Sequence, residues 1–207
     1  MISSREALEK LKQGNRRFVA GERRLTGDAL IDSHTGLVDA QSPYAVVLGC
    51  SDSRVPAELV FDQGLGDLFV VRVAGNIVAP SLTGSIEFAV EKFGTRLIVV
   101  MGHTHCGAIS ATIEDVLHPS EGQSVNLRAI IDRVRPSIDP LMSGASRLEG
   151  DALLRAAVRA NVRSSAEHLR HGSALLEARI RDDGLLVVGA EYSLETGVVD
   201  FFDGVPE

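Results

Sequence analysis

The 207-residue sequence predicts an α/β fold: a mainly parallel central sheet flanked by helices, with an antiparallel edge strand and an extended N-terminal helix. Three observations predict it. Four short β-branched runs are apolar at consecutive positions, as expected of strands covered on both faces. Helical patterns separate them, and strand–helix–strand alternation gives a parallel sheet with right-handed crossovers. Finally, Glu195-Thr196-Gly197 reads as a turn into an antiparallel edge strand, Val198–Phe202.

In chain order, the first helix is predicted from Arg5 to Val19. Ser3 with Glu6 fits a capping box, and Gly21 is a stop signal. Ala7, Leu8, Leu11 and Phe18 form only a thin apolar face. It reads as a surface helix, with packing on a partner subunit as the other reading. A polar, irregular stretch follows to Pro43, so residues 1–42 form a helical arm of one domain spanning 1–207. The strands are Tyr44–Leu48, Leu68–Val73, Leu97–Met101 and Leu185–Ala190. Between them, Leu82, Ile86, Ala89, Val90 and Phe93 recur at helical spacing, as do Leu127, Ile130, Ile131 and Val134. Leu154, Val158, Val162 and Leu169 make a further stripe. Loops at His118–Gln123 and Pro136–Gly150 interrupt the helical half, and neither reads as a domain boundary.

Composition narrows the function. A formal net charge of −7 argues against a nucleic-acid partner, and 4% aromatic residues with no tryptophan leave no base-stacking platform. No apolar run reaches membrane-span length. The N-terminus lacks an apolar signal core, so the mature chain is expected to begin here and to be cytoplasmic, where thiols stay reduced. No Rossmann or P-loop fingerprint is present.

The two cysteines carry the chemistry. Cys50 opens Cys50-Ser51-Asp52-Ser53-Arg54, and Cys106 closes His103-Thr104-His105-Cys106. Both runs lie just past predicted strands, the first and the third. Open α/β sheets bind ligands at the carboxyl ends of strands, at a switch point in strand order. If those two strands are neighbours, both runs meet at one rim. Cys50, His103 and Cys106 then supply three zinc ligands, and a catalytic zinc site keeps three protein ligands with one position open. Cys106, next to a helix start, is favoured as thiolate. Asp52 is read as the group that orients and deprotonates water, held ionised by a bidentate pair with Arg54. Swung round, Asp52 becomes a fourth ligand and closes the site. His105 is read as a loop histidine facing solvent or a subunit contact rather than a proton shuttle. His34, His118, His168 and His171 carry no motif.

These residues resemble the β-class carbonic anhydrases. The resemblance rests on Cys-x-Asp-x-Arg followed by His-x-x-Cys, within Gly49 to Pro56, Arg72-Val73-Ala74-Gly75-Asn76, and Gly102-His103 through Cys106-Gly107. It implies zinc-dependent reversible hydration of carbon dioxide to bicarbonate and a proton, through zinc-bound hydroxide. It also implies Asp52 and Arg54 as a catalytic dyad, the Gly107 N–H as a contact for substrate oxygen, Val55 in the apolar wall, and a homodimer or homotetramer. One departure matters. Some bacterial members carry a regulatory bicarbonate pocket of Trp, Arg and Tyr; here Arg72 and Tyr192 match, but Val47 stands at the tryptophan position. That form of control is not expected. Two rival readings remain at this point: a hydrolase of carbon disulfide or carbonyl sulfide on the same scaffold, and a non-enzymatic zinc protein closed by Asp52.

Overall fold

Runs of valine, leucine and isoleucine build the sheet in the computed structural model, which describes residues 2–24, 38, 41–119, 122–143 and 147–206. The strands are β1 (Ala45–Gly49), β2 (Leu68–Arg72), β3 (Leu97–His103), β4 (Leu186–Tyr192) and β5 (Val199–Asp203). Their spatial order is β2-β1-β3-β4-β5. All neighbours are parallel except β4 and β5, which pair antiparallel. The mainly parallel sheet with an antiparallel edge is therefore as expected. Strand β3 runs two residues beyond the predicted end, because its pairing with β4 continues to His103 opposite Tyr192.

Alternation along the strands divides the core in two. Val47, Val99 and Met101 face one apolar cluster, while Val46, Leu48, Ile98 and Val100 face the other. Helices cover both faces: α1 (Ser4–Ala20), α2 (Ala57–Val60), α3 (Pro80–Phe93), α4 (Gly107–Leu117), α5 (Val125–Ile138), α6 (Gly150–His171) and α7 (Ala174–Asp183). Among the described residues, no helix is long and apolar enough to cross a membrane.

Helix α1 has the predicted capping box at Ser3 and Glu6, and its chain turns left-handed at Gly21 (φ +73°). It lies on the surface as read, with the predicted apolar face turned to the core. Ala7, Leu8 and Leu11 are buried in the first core cluster. Asn15, also buried, donates through Nδ2 to the carbonyls of Val60 (3.1 Å) and Gly197 (2.9 Å) and accepts the Val199 N–H at 2.9 Å. A thin apolar stripe suffices when a buried amide ties the helix to two other segments. Gly14 lets this face come close: a Cβ there would collide with the Phe61 carbonyl oxygen and lie 2.8 Å from Gln63 Nε2. Helix propensity alone would make Gly14→Ala stabilising by about 0.5–1 kcal/mol. The collision is with backbone, which cannot swing aside, so the expected result is a net loss of about 1–3 kcal/mol in urea unfolding. A variant as stable as the parent would show that α1 docks more loosely.

Two further expectations change. The loop expected from Pro136 begins later, because α5 continues to Ile138 and a 3-10 turn follows over Asp139–Met142. Val134 and Ile138 are fully buried, and their packing outweighs the hydrogen bond lost at proline. Helix α7 was not anticipated. It buries only Leu176, so it has no apolar stripe to read, but Ser173 caps its start by accepting the Leu176 N–H at 3.2 Å. Most of the irregular stretch before Pro43, with His34, lies outside the described residues.

Candidate metal centre

The sheet order brings the two motif runs together. The chain leaves β1 toward β2 on one side and β3 toward β4 on the other, so β1 and β3 flank the switch point. Cys50 follows β1, His103 ends β3, and Cys106 stands at the N-cap of α4. One ligand atom from each, both sulfurs and a His103 ring nitrogen, lie within 4.8 Å of one another. The sulfurs are 4.0 Å apart, both are free thiols, and all three residues are buried.

The backbone aims each donor. His103 Nδ1 lies 2.9 Å from the Thr104 carbonyl oxygen; a carbonyl only accepts, so Nδ1 carries the proton. Nε2 is then the lone-pair nitrogen, and it is buried without a hydrogen-bond partner. An uncompensated buried nitrogen is costly. Facing two thiols, it fits a metal ligand, and one nitrogen with two sulfurs is a donor set suited to zinc. The Gly75 N–H points at Cys50 Sγ (3.4 Å), made possible by a left-handed Gly75 (φ +71°). Asn161 Nδ2 holds that turn by donating to the Gly75 carbonyl at 2.8 Å.

The thiols interact strongly. The hydrogen bond from Cys106 is the main cause holding Cys50 below the ordinary thiol range, with help from His103 and the Gly75 N–H. Cys106 is pushed up by Cys50 and by burial, although the Ile109 and Ala108 N–H groups at the start of α4 favour its thiolate. One negative sulfur resists a second beside it; a divalent cation removes that conflict. Burial opposes a proton on His103, but the Cys50 sulfur outweighs it and raises the imidazole above its usual range.

Asp52 and Arg54 form the bidentate pair expected of them. Arg54 Nε donates to Oδ1 at 2.9 Å, and a terminal nitrogen donates to Oδ2 at 2.7 Å. The Arg54 backbone N–H adds a bond to Oδ1 at 2.9 Å. Arg54 therefore holds the Asp52 carboxyl well below the usual carboxylate range. Turned this way, Asp52 Oδ2 lies 3.9 Å from His103 Nε2, beside the ligand cluster. Val55 is buried in the core behind this loop, and Gly107 opens α4 at the surface.

Arg72 has a role that its sequence context did not reveal. It donates to the carbonyls of Cys50 (3.0 Å) and Asp52 (2.6 Å), bracing the loop that carries both. Val47 lies in the core and Tyr192 is buried beneath the same face. The signal for Arg72 and Gly75 was their shared run, Arg72 to Asn76, which ends a strand opposite the first cysteine. His105 adopts a left-handed conformation (φ +56°) and contacts Glu195 at 2.6 Å.

A family model described as carbonic anhydrase matches residues 45–199. Carbonic anhydrase 2 of Mycobacterium tuberculosis is 38% identical over 191 residues, which span 92% of this chain and 89% of that protein. A carbonic anhydrase of Mycolicibacterium smegmatis is 51% identical over 132 residues, 64% of this chain and 63% of the other. Among solved structures, a Coccomyxa β-carbonic anhydrase in complex with acetazolamide superposes with a TM-score of 0.73 at 27% identity, covering 94% of this chain and 86% of the other.

Proposed function

Because the chain belongs to the β-class carbonic anhydrase family, we propose that it catalyses the reversible hydration of carbon dioxide to bicarbonate and a proton with zinc as its metal. The observation that carries this reading is the convergence of Cys50, His103 and Cys106 within 4.8 Å around a buried, unpartnered imidazole nitrogen. Zinc held by these three side chains supplies Lewis acidity and lowers the pKa of the attacking water.

The chain's own residues do the rest. The Thr104 carbonyl fixes the His103 tautomer, leaving Nε2 free to donate its lone pair. The Gly75 N–H and the start of α4 offset charge on the two sulfurs. Arg54 keeps Asp52 ionised and pinned, so the carboxylate accepts a hydrogen bond from the attacking water rather than itself carrying a proton. The Gly107 N–H offers a contact to a substrate oxygen, and Val55 backs the apolar side of the site. A permanently closed, non-enzymatic centre would require Asp52 to break the bidentate pair with Arg54.

Self-association as a homodimer or homotetramer is part of the proposal. It is supported by β2 standing at the edge of the sheet among the described residues and by Phe88, 52% exposed within an aromatic cluster with Phe69 and Phe93. Sedimentation velocity should give a species of at least two chains; a monomer at micromolar concentration would remove this part.

The central test is a stopped-flow carbon dioxide assay on protein whose metal content has been measured. Hydration should rise in proportion to bound zinc and vanish in metal-stripped protein. Zinc-loaded protein with no hydration above buffer would overturn the proposal.

A further inference from the structure

The turn between His103 at the end of β3 and Cys106 at the start of α4 is held from outside by one acidic side chain. Glu195 sits in the turn between β4 and β5. Its Oε2 accepts from Thr104 Oγ1 (2.9 Å) and from Ser193 Oγ (2.9 Å), and its Oε1 lies 2.6 Å from His105 Nε2. Thr104 Oγ1 also accepts the Leu194 N–H at 3.0 Å, and the Thr104 N–H donates to the Tyr192 carbonyl at 3.0 Å. Thr104 and His105 are the two residues between His103 and Cys106.

An exposed ion pair by itself contributes little, and Glu195 and His105 are 53% and 62% exposed in their side chains. The geometry matters more than the charge. Thr104 is the residue whose carbonyl sets the His103 ring, and holding Thr104 on one side of that peptide and His105 on the other restrains the carbonyl's direction. His105 is held in a left-handed conformation that a non-glycine residue rarely adopts unaided. Partners one step beyond the ligands commonly decide how well a metal site is aimed.

We propose that Glu195 is a positioning residue of the metal centre, clasping Thr104 and His105 so that His103 Nε2 and Cys106 Sγ converge on one point. This rests on the metal reading above and assigns no contact between Glu195 and substrate.

The test uses cobalt(II) as the probe metal. Wild type, Glu195→Gln, Glu195→Ala and Thr104→Val are loaded, and the thiolate-to-cobalt absorption is followed after a chelator is added. Glu195→Ala and Thr104→Val should release cobalt about 10- to 100-fold faster than wild type, with Glu195→Gln in between because its amide oxygen still accepts from Thr104. Melting of the metal-free proteins should be nearly the same in all four. A wild-type release rate in Glu195→Ala overturns the clasp, whatever Thr104→Val does. Faster release matched by early melting of every metal-free variant also overturns it, since general loosening would then explain the effect. A wild-type protein with no thiolate-to-cobalt band fails at the metal centre itself, and the clasp falls with it.

Discussion

His103→Ala is expected to leave the protein without stoichiometric zinc and to lower carbon dioxide hydration by at least about a thousandfold. The figure follows from the several kcal/mol a Lewis-acid metal contributes to the barrier, each ~1.4 kcal/mol being a factor of ten. His103 is fully buried, and its Nε2 has no other partner to satisfy it. Without it, the two thiols stand 4.0 Å apart with only one favoured as thiolate. Two sulfurs alone do not make a zinc site of useful affinity. Elemental analysis of the purified variant, paired with stopped-flow hydration, checks both halves. The metal-free fold should survive, since removing the imbalance of a buried unpaired nitrogen offsets part of the lost packing. Zinc bound at about one per chain with near-parental hydration would mean the ligand set is different.

Asp52→Ala should behave in the opposite way toward the metal: zinc stays, and activity falls by about 10- to 100-fold, the range for losing one charge-assisted hydrogen bond to the attacking water. Asp52 is not needed for the cluster, which Cys50, His103 and Cys106 complete among the described residues. Its carboxylate is nonetheless beside that cluster, 3.9 Å from His103 Nε2. Arg54→Ala should keep zinc too and lose most activity, because the carboxylate then loses its fork and is free to turn toward the metal. Arg54→Lys keeps the charge but not the planar pair of donors, so it should recover only part of the loss. Metal content and kcat measured on the same preparations decide the matter. Full activity in Asp52→Ala would remove the carboxylate from the reaction, and loss of zinc would make it a ligand instead.

Strand positions were readable because β1 and β3 are buried at every position and so run apolar almost throughout, a local property; β2 keeps the pattern up to its exposed end at Arg72. The same holds for α3, α5 and α6, whose stripes repeat at helical spacing. Helix α7 was unreadable because it contributes one buried leucine, and its cap serine resembles any loop serine. For α1 the docking face was readable as Ala7, Leu8 and Leu11, but the hold added by Asn15 and by the absence of a Cβ at Gly14 was not, since neither contributes to apolar periodicity. At the site, Cys50, His103 and Cys106 were found from donor chemistry and spacing, and Asp52 with Arg54 from being two residues apart. Gly75 and Glu195 were not assigned, and Arg72 was matched to a regulatory pocket rather than to the loop it braces, since each acts through a backbone atom or a neighbour distant in sequence.

The sequence by itself determined which atoms are available for chemistry, two thiols, one imidazole and a carboxylate beside a guanidinium, and placed them past strand ends. Only the tertiary structure decided that they meet. That depends on β1 lying between β2 and β3, a pairing of residues some fifty positions apart that no local pattern encodes. It depends equally on backbone groups whose direction is set by turns, where Gly75 and Thr104 aim a sulfur and a ring nitrogen inward. Side-chain identity is written residue by residue; convergence is a property of the packed sheet, which exists only after distant segments have buried their apolar faces against one another.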